Sequence, residues 1–289
     1  MDGIVTLLKP PGMTSNNAVY DVRRIFSEKR VGHLGTLDPG AAGVLPVCMG
    51  RATRLFDLLV DKEKSYRFEV HFGSATDTED AYGRIVELSD RIVTADEVRA
   101  ALPKLTGEIR QTAPVYSALK VNGQRMCDLA RRGEAVEPKT RTVTVRELKL
   151  LEQTGENRYL LDVVCSRGTY VRTIAADLGR LIGCPAHMSL LIRTSAGMFT
   201  LENAYSVQEL EAMRVQSRLS ESVVSCEEAL GVFPGITLPS DRRIPTRNGL
   251  ETFCGDAEDG IYRVYADGFL GVGTVKKHSL KLTVHLYDE

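Results

Sequence analysis

Twenty residues, Val31 to Gly50 (VGHLGTLDPGAAGVLPVCMG), carry one charged side chain, Asp38, between Arg30 and Arg51. A run so rich in Gly, Ala, Leu and Val must be covered by the rest of the chain. A carboxylate inside it is costly to bury unless it is paired or used. Gly32, Gly35, Gly40 and Gly43 let backbone approach a flat ligand closely. Pro39 biases Asp38 toward an extended conformation, so Asp38 starts a turn or loop. A bare Asp-Pro turn between two strands is one reading of these letters. The other is a single nucleophile or base presented on a tight loop.

The longer stretch GHLGTLDPGAAGVLPVCMGRATRL (32–55) resembles the catalytic motif of the TruB family, the bacterial tRNA pseudouridine-55 synthases. The match runs through Gly32, His33, Gly35 to Pro39, Ala41, Gly43 to Leu45, Gly50, Ala52 and Thr53, with Gly40 standing where a larger apolar residue is common. KPPGMTSN (9–16), KSYRFEV (64–70), TDTEDAYG (76–83), QTAPVYSALKVNGQRMCDLARRG (111–133), CSRGTYVRTIAADLG (165–179) and HMSLLIRTSAG (187–197) extend the resemblance over about residues 3–198. Ala113 and Cys127 depart from the pattern, where Pro and Tyr are usual.

The resemblance implies an α+β pseudouridine synthase core, with a mixed, mostly antiparallel sheet flanked by helices, over residues 1–234. A PUA-like β module that binds RNA follows over 235–289. It implies isomerisation of uridine 55 in the T-loop of tRNA by base flipping, with no cofactor and no metal. Asp38 would be the catalytic carboxylate, acting on the sugar or the base or taking a sugar proton. Arg172 would keep Asp38 ionised and oriented. Tyr66 would stack on the target base and relay a proton. Tyr170 and Leu191 would line the base, Lys9 would shape the floor beside the catalytic loop, and His33 would fill the gap left by the flipped uridine. Lys120, Arg125, Arg131 and Arg132 would contact phosphates. Asp77 and Asp80 read equally as an outer shell of the site or as an acidic turn. Guide-dependent modification of another RNA and a tRNA-folding role are the competing functions.

Charge adds a weaker signal. The net charge of 289 residues is −1, yet residues 117–147 hold seven Lys/Arg against four Asp/Glu, while 199–236 hold two against six. A local basic face binds phosphate without a high isoelectric point. The six cysteines are scattered with no C-x-x-C pair, which argues against a zinc site or a disulfide framework and fits a reducing cytoplasm. The opening MDGIVTLLKPPG lacks the features of a secretory signal, and no apolar run reaches membrane-span length. The expected partner is the tRNA T-arm alone, met by a monomer with no protein partner and no membrane.

Periodicity predicts strands over 3–8, 65–73, 140–150 and 159–165, and helices over 16–29, 55–59, 95–104, 124–133, 169–182 and 206–214. The stretch 74–83 reads as a loop. Beyond about 237, IYRVYA, FLGVGTV and LKLTVHLY read as small-module strands.

Overall fold

The computed structural model describes residues 1–60, 62–114, 116, 120–121, 123–126, 129, 132 and 139–287. Its large sheet contains, in chain order, β1 (Gly3–Lys9), β2 (Val31–His33), β3 (Ala42–Met49) and β4 (Lys64–Phe72). A hairpin, β5 (Ser74–Thr76) with β6 (Ile85–Leu88), forms a separate two-stranded sheet. The sheet resumes at β7 (Gly107–Thr112) and, after the short pair β8 (Lys120–Val121) and β9 (Gln124–Arg125), at β10 (Thr140–Gly155). β11 (Arg158–Cys165), β12 (Ala186–Ala196), β13 (Phe199–Thr200) and β14 (Val223–Val224) complete it. Its order is β14-β1-β3-β12-β4-β11-β10-β7, with β2 on β3 and β13 on β12. Only β12 and β3 run parallel among these pairs.

The longer described helices that pack against or beside this sheet are α1 (Ser15–Phe26), α2 (Ala95–Ala101), α3 (Val171–Ile182) and α4 (Val207–Val215), and the expected helix at 55–59 forms as one turn over Phe56–Leu59. Each start has a local cause. Thr14 caps α1 by accepting from the Asn17 amide, and Thr94–Glu97 and Ser206–Glu209 form reciprocal capping boxes on α2 and α4. The ends are equally local. Ser27 turns left-handed at φ 52° and stops α1 before the expected residue 29, and Gly183 does the same for α3 at φ 74°. Between sheet and helices lie Phe68, Phe72, Ile25, Ile174 and Leu178, all at most 1% exposed. Burying each such side chain contributes about 1.5–3 kcal/mol.

The 31–50 run is a turn flanked by the strands β2 and β3, as one reading of its Asp-Pro pair expects. Elsewhere the structure adds to or corrects the sequence reading. The segment 186–196 is a central strand, and 74–76 is the first strand of a hairpin. The helix expected over 124–133 starts no earlier than Met126, since Gln124–Arg125 pairs with Lys120–Val121, and most of the remainder lies outside the described residues.

From Gly235 a second sheet forms, in the order β15 (Gly235–Thr237), β17 (Gly260–Tyr265), β18 (Phe269–Lys276), β19 (Ser279–His285) and β16 (Thr252–Phe253). It has its own core of Leu238, Val264, Leu270, Val275 and Leu280. Val272 and Leu286 instead join a cluster with Ile4, Val44, Leu55 and Phe199 of the first part. Arg54 donates to the His285 carbonyl at 2.9 Å across the same junction. No helix among the described residues is long and apolar enough to cross a membrane.

Candidate active site

Asp38 sits on a turn between β2 and β3, and the Ala41 amide donates to its carbonyl at 3.0 Å. The Asp-Pro pair is thus a turn between two strands, and the turn presents the carboxylate. KPPGMTSN fixes that turn from the other side. The Ser15 hydroxyl, buried at the start of α1, donates to the Leu37 carbonyl and accepts from the Leu37 amide, each at 2.9 Å. The Gly12 amide donates to the Pro39 carbonyl at 2.8 Å. Lys9 is fully buried, and its ammonium donates to the carbonyls of Met13 (2.6 Å), Pro10 (2.8 Å) and Pro39 (3.3 Å). Burial pushes the Lys9 pKa down to about 8, against the opposing attraction of Asp38. Residues on both sides of Asp38 are thus held by hydrogen bonds, buried at Leu37 and part-buried between Lys9 and Pro39, while 44% of its own side chain stays open.

Arg172 lies in the first turn of α3 and is 6% exposed. Gln111, from β7, sets that helix start. Its side-chain amide donates to the Tyr170 carbonyl (2.9 Å) and accepts from the Tyr170 amide (2.7 Å). The Arg172 guanidinium then divides among three partners. Nη1 stands 3.4 Å from Asp38 Oδ2 and 3.4 Å from Asp80 Oδ2, and Nη2 donates to the Tyr116 carbonyl at 2.9 Å. The Asp38 contact is single and long, not a two-pronged fork. The acidic turn also resolves into two roles. Asp77 accepts from the Arg84 amide at 2.8 Å and closes the turn, whereas Asp80 reaches Arg172.

The remaining side chains of the candidate site come from strand register. β12 lies between β3 and β4, so Arg193 is opposite Tyr66 on one side and Gly43 on the other. Gly43 has φ +110°, and a Cβ there would come 2.2 Å from the Arg193 carbonyl oxygen. Arg193 is fully buried. Its Nε donates to the Val44 carbonyl (2.6 Å) and its Nη2 to the Gly35 carbonyl (3.1 Å), while Nη1 has no hydrogen-bond partner among the described residues. Burial raises the Tyr66 pKa, and the Arg193 charge beside it works the other way. Burial, and secondarily Arg193, lowers the His33 pKa, which favours the neutral ring.

Asp38 and Arg172 stand where two cavities meet. His33, Thr36, Leu37, Met188 and Leu191 also line both. One cavity, of about 380 Å³, is walled by Tyr66, Tyr170, Lys64 and Arg193, with Arg141 and Arg167 at its side. Arg141 lies over the Tyr170 ring at 4.9 Å from its centroid, and Arg172 at 5.6 Å. The other, of about 630 Å³, extends past Pro39 and Gly40 to Asn16, Tyr82 and Leu190. Together they offer an aromatic and apolar slot, a carboxylate at its edge and cationic groups on its rim. That set suits a flat polar ring joined to a phosphate chain.

The sequence profile described as "TruB family pseudouridylate synthase (N terminal domain)" matches residues 23–171, and "tRNA pseudouridylate synthase B C-terminal domain" matches 172–231. The chain belongs to the TruB family. It is 45% identical to the tRNA pseudouridine synthase B of Bacillus anthracis, over 86% of this chain and 84% of the relative. With that of Clostridioides difficile (strain 630) it is 41% identical over 98% of each chain. Among solved structures, an H/ACA ribonucleoprotein bound to a substrate RNA containing 2′-deoxyuridine shares the fold, with a TM-score of 0.75 and 21% identity over 99% of this chain and 85% of that one. An archaeal Nop10–Cbf5 complex does so at 0.69, with 24% identity over 94% and 78%.

Of the residues singled out from this TruB sequence, Asp38, Arg172, Tyr66, Tyr170, His33 and Leu191 meet around the two cavities, and Lys9 braces the loop from below. Of the basic segment 117–147, Arg141 reaches the smaller cavity, and the four expected phosphate contacts are placed differently. Lys120 and Arg125 belong to the β8–β9 pair, Arg132 is exposed and bonds Gln124, and Arg131 and Cys127 lie outside the described residues. Sequence reasoning missed Arg193, Lys64, Arg141 and Arg167. Arg193 carried the same signal as Asp38: it is the one charge in MSLLIRTSAG.

Proposed function

We propose that this protein converts uridine 55 in the T-loop of tRNA to pseudouridine. The observation that carries the reading is the Asp38 carboxylate, held on a braced turn against Arg172 at the mouth of a slot lined by Tyr66, Tyr170 and Leu191. The relatives named tRNA pseudouridine synthase B support tRNA as the substrate class. In this reading the target uridine leaves the stack and enters the slot, and the His33 ring takes its place in the RNA. Tyr66 stacks on the uracil and serves the proton at C5. Asp38 acts at the glycosidic linkage while the freed uracil turns and rejoins through C5. Arg172 keeps the carboxylate aimed. No cofactor is needed, because bonds are exchanged without net oxidation or hydrolysis. Residues 1–234 form the catalytic domain. Residues 235–289 form a PUA-like module that adds RNA affinity through exposed Lys276, Lys277 and Lys281. The protein works as a monomer in the cytoplasm.

The test is incubation of an unmodified tRNA transcript with the full chain, followed by mapping of pseudouridine by position. The expected result is one product, at position 55. Modification elsewhere, or none, would overturn the assignment.

A further inference from the structure

The larger cavity, on the far side of Asp38 from Tyr66, has an aromatic side chain that the mechanism leaves unused. Tyr82 is 74% exposed and lines that cavity together with Leu190, itself 43% exposed. An aromatic ring left this open beside a catalytic carboxylate gains little from the protein's own packing. Its backbone is held firmly nonetheless. The Tyr82 amide donates to Asp80 Oδ1 at 3.0 Å, and Asp80 Oδ2 faces Arg172. Thr78 donates to the same Asp80 oxygen at 2.7 Å, and Thr76 to the Asp80 carbonyl at 2.7 Å. Glu79, next in the turn, accepts from Thr173 of α3 at 2.6 Å and from the Met188 amide at 3.0 Å. The turn that carries Tyr82 is therefore built onto the helix and strand that carry Arg172 and Leu191.

The ring also has a matching hollow. A Cβ placed on Gly40 would lie 2.0 Å from Tyr82 Cε2 and 2.5 Å from Cζ. Tyr82 thus occupies, from another turn, the space that a side chain at position 40 would fill, two residues after Asp38. We infer that Tyr82 is a substrate-positioning residue, which stacks on the nucleobase adjoining the flipped uridine and holds it on the opposite side of Asp38 from the Tyr66 slot. The inference rests on the proposed RNA substrate. The slot beside Tyr66 takes the target base, and the second cavity, which shares Asp38, Arg172 and Leu191 with that slot, receives the adjoining nucleotide. An exposed aromatic face fits a base of any sequence.

The test uses the full chain and a T-arm stem-loop with 2-aminopurine at either neighbour of the target uridine. Binding is read by quenching in the Asp38→Asn background, and turnover is read with the unlabelled stem-loop and Asp38 intact. Stacking of one base is worth about 1–3 kcal/mol, so Tyr82→Ala should raise KM and Kd about fivefold or more. It should abolish the quench at one neighbour and change kcat much less than KM. Tyr82→Phe keeps the ring and should restore both readings. Gly40→Leu should displace the ring and mimic Tyr82→Ala, and the two together should lose less than the sum of each. Cooperative melting near the wild-type temperature checks that the exposed site tolerates the change. An active wild type whose KM and quench survive Tyr82→Ala would overturn this inference alone. A wild type that makes no pseudouridine would overturn the proposed function and this inference with it.

Discussion

Ser15→Ala separates the positioning of Asp38 from its chemistry. The hydroxyl makes two buried hydrogen bonds, both to Leu37, the residue before Asp38. Removing it leaves a buried amide and a buried carbonyl without that partner, each costing about 1–3 kcal/mol. Local relaxation recovers part of this, so a loss of roughly 2–4 kcal/mol is expected, or about 3–7 °C in Tm for a chain of this size. The Asp38 turn keeps its ties through Gly12 and Lys9 at Pro39 but loses the one at Leu37. A displacement near 1 Å can cost on the order of 100-fold in rate, so kcat should fall by about 10- to 100-fold with KM nearly unchanged. Thr94→Ala is the control, because it removes a helix cap far from the cleft at a cost of about 1 kcal/mol. It should lower Tm without lowering kcat. Thermal melting and steady-state kinetics on a T-arm stem-loop decide the matter. If Ser15→Ala melts early yet turns over within twofold of wild type, the brace does not position the carboxylate.

Arg172→Lys keeps the charge but cannot serve Asp38, Asp80 and the Tyr116 carbonyl together, so single-turnover rate should fall by much more than RNA affinity does; an equal fall in both would make Arg172 a phosphate contact. Arg193→Lys loses the donations to Val44 and Gly35 from a fully buried position, and should lower Tm by several degrees together with kcat; an unchanged Tm would show that those two bonds do not hold β12 to the catalytic loop. Lys9 has its pKa lowered to about 8 against 10.5 in the unfolded chain, so between those values the unfolded state binds more protons. Wild type should therefore gain stability relative to Lys9→Met as pH rises from 8 to 10.5 in denaturant titrations, and a constant difference would contradict the burial of that charge.

The site was more legible in the sequence than the sheet that holds it. Asp38 stood out because a lone charge in an apolar run is visible in one dimension. Helix caps such as Thr94–Glu97 and Ser206–Glu209 are local, and the elements they open form where expected. β3 is only weakly signalled by its own composition: Gly43 and Pro46 argue against a strand, and pairing with β1, β2 and β12 makes one there. β12 carries no clear alternation around Leu191, and it is the register of that strand that brings Arg193 beside Tyr66. Asp77 and Asp80 are equivalent as letters, and they differ only once α3 places Arg172 within reach of one of them. The C-terminal strands were readable from their alternation. Their contact with the first part, through Val272 and Leu286, was not.

The central claim is that the Asp38 carboxylate performs the chemistry and does not merely shape the loop. Single-turnover assay of Asp38→Asn on unmodified tRNA, with Kd measured on the same preparation, tests it most directly. Asn fills the same space, and because the bonds at Leu37 and Pro39 do not involve the Asp38 side chain, the turn should persist. The expected result is unchanged melting, a Kd within a few-fold of wild type and no detectable pseudouridine at position 55. Pseudouridine formed by Asp38→Asn within tenfold of the wild-type rate would contradict it.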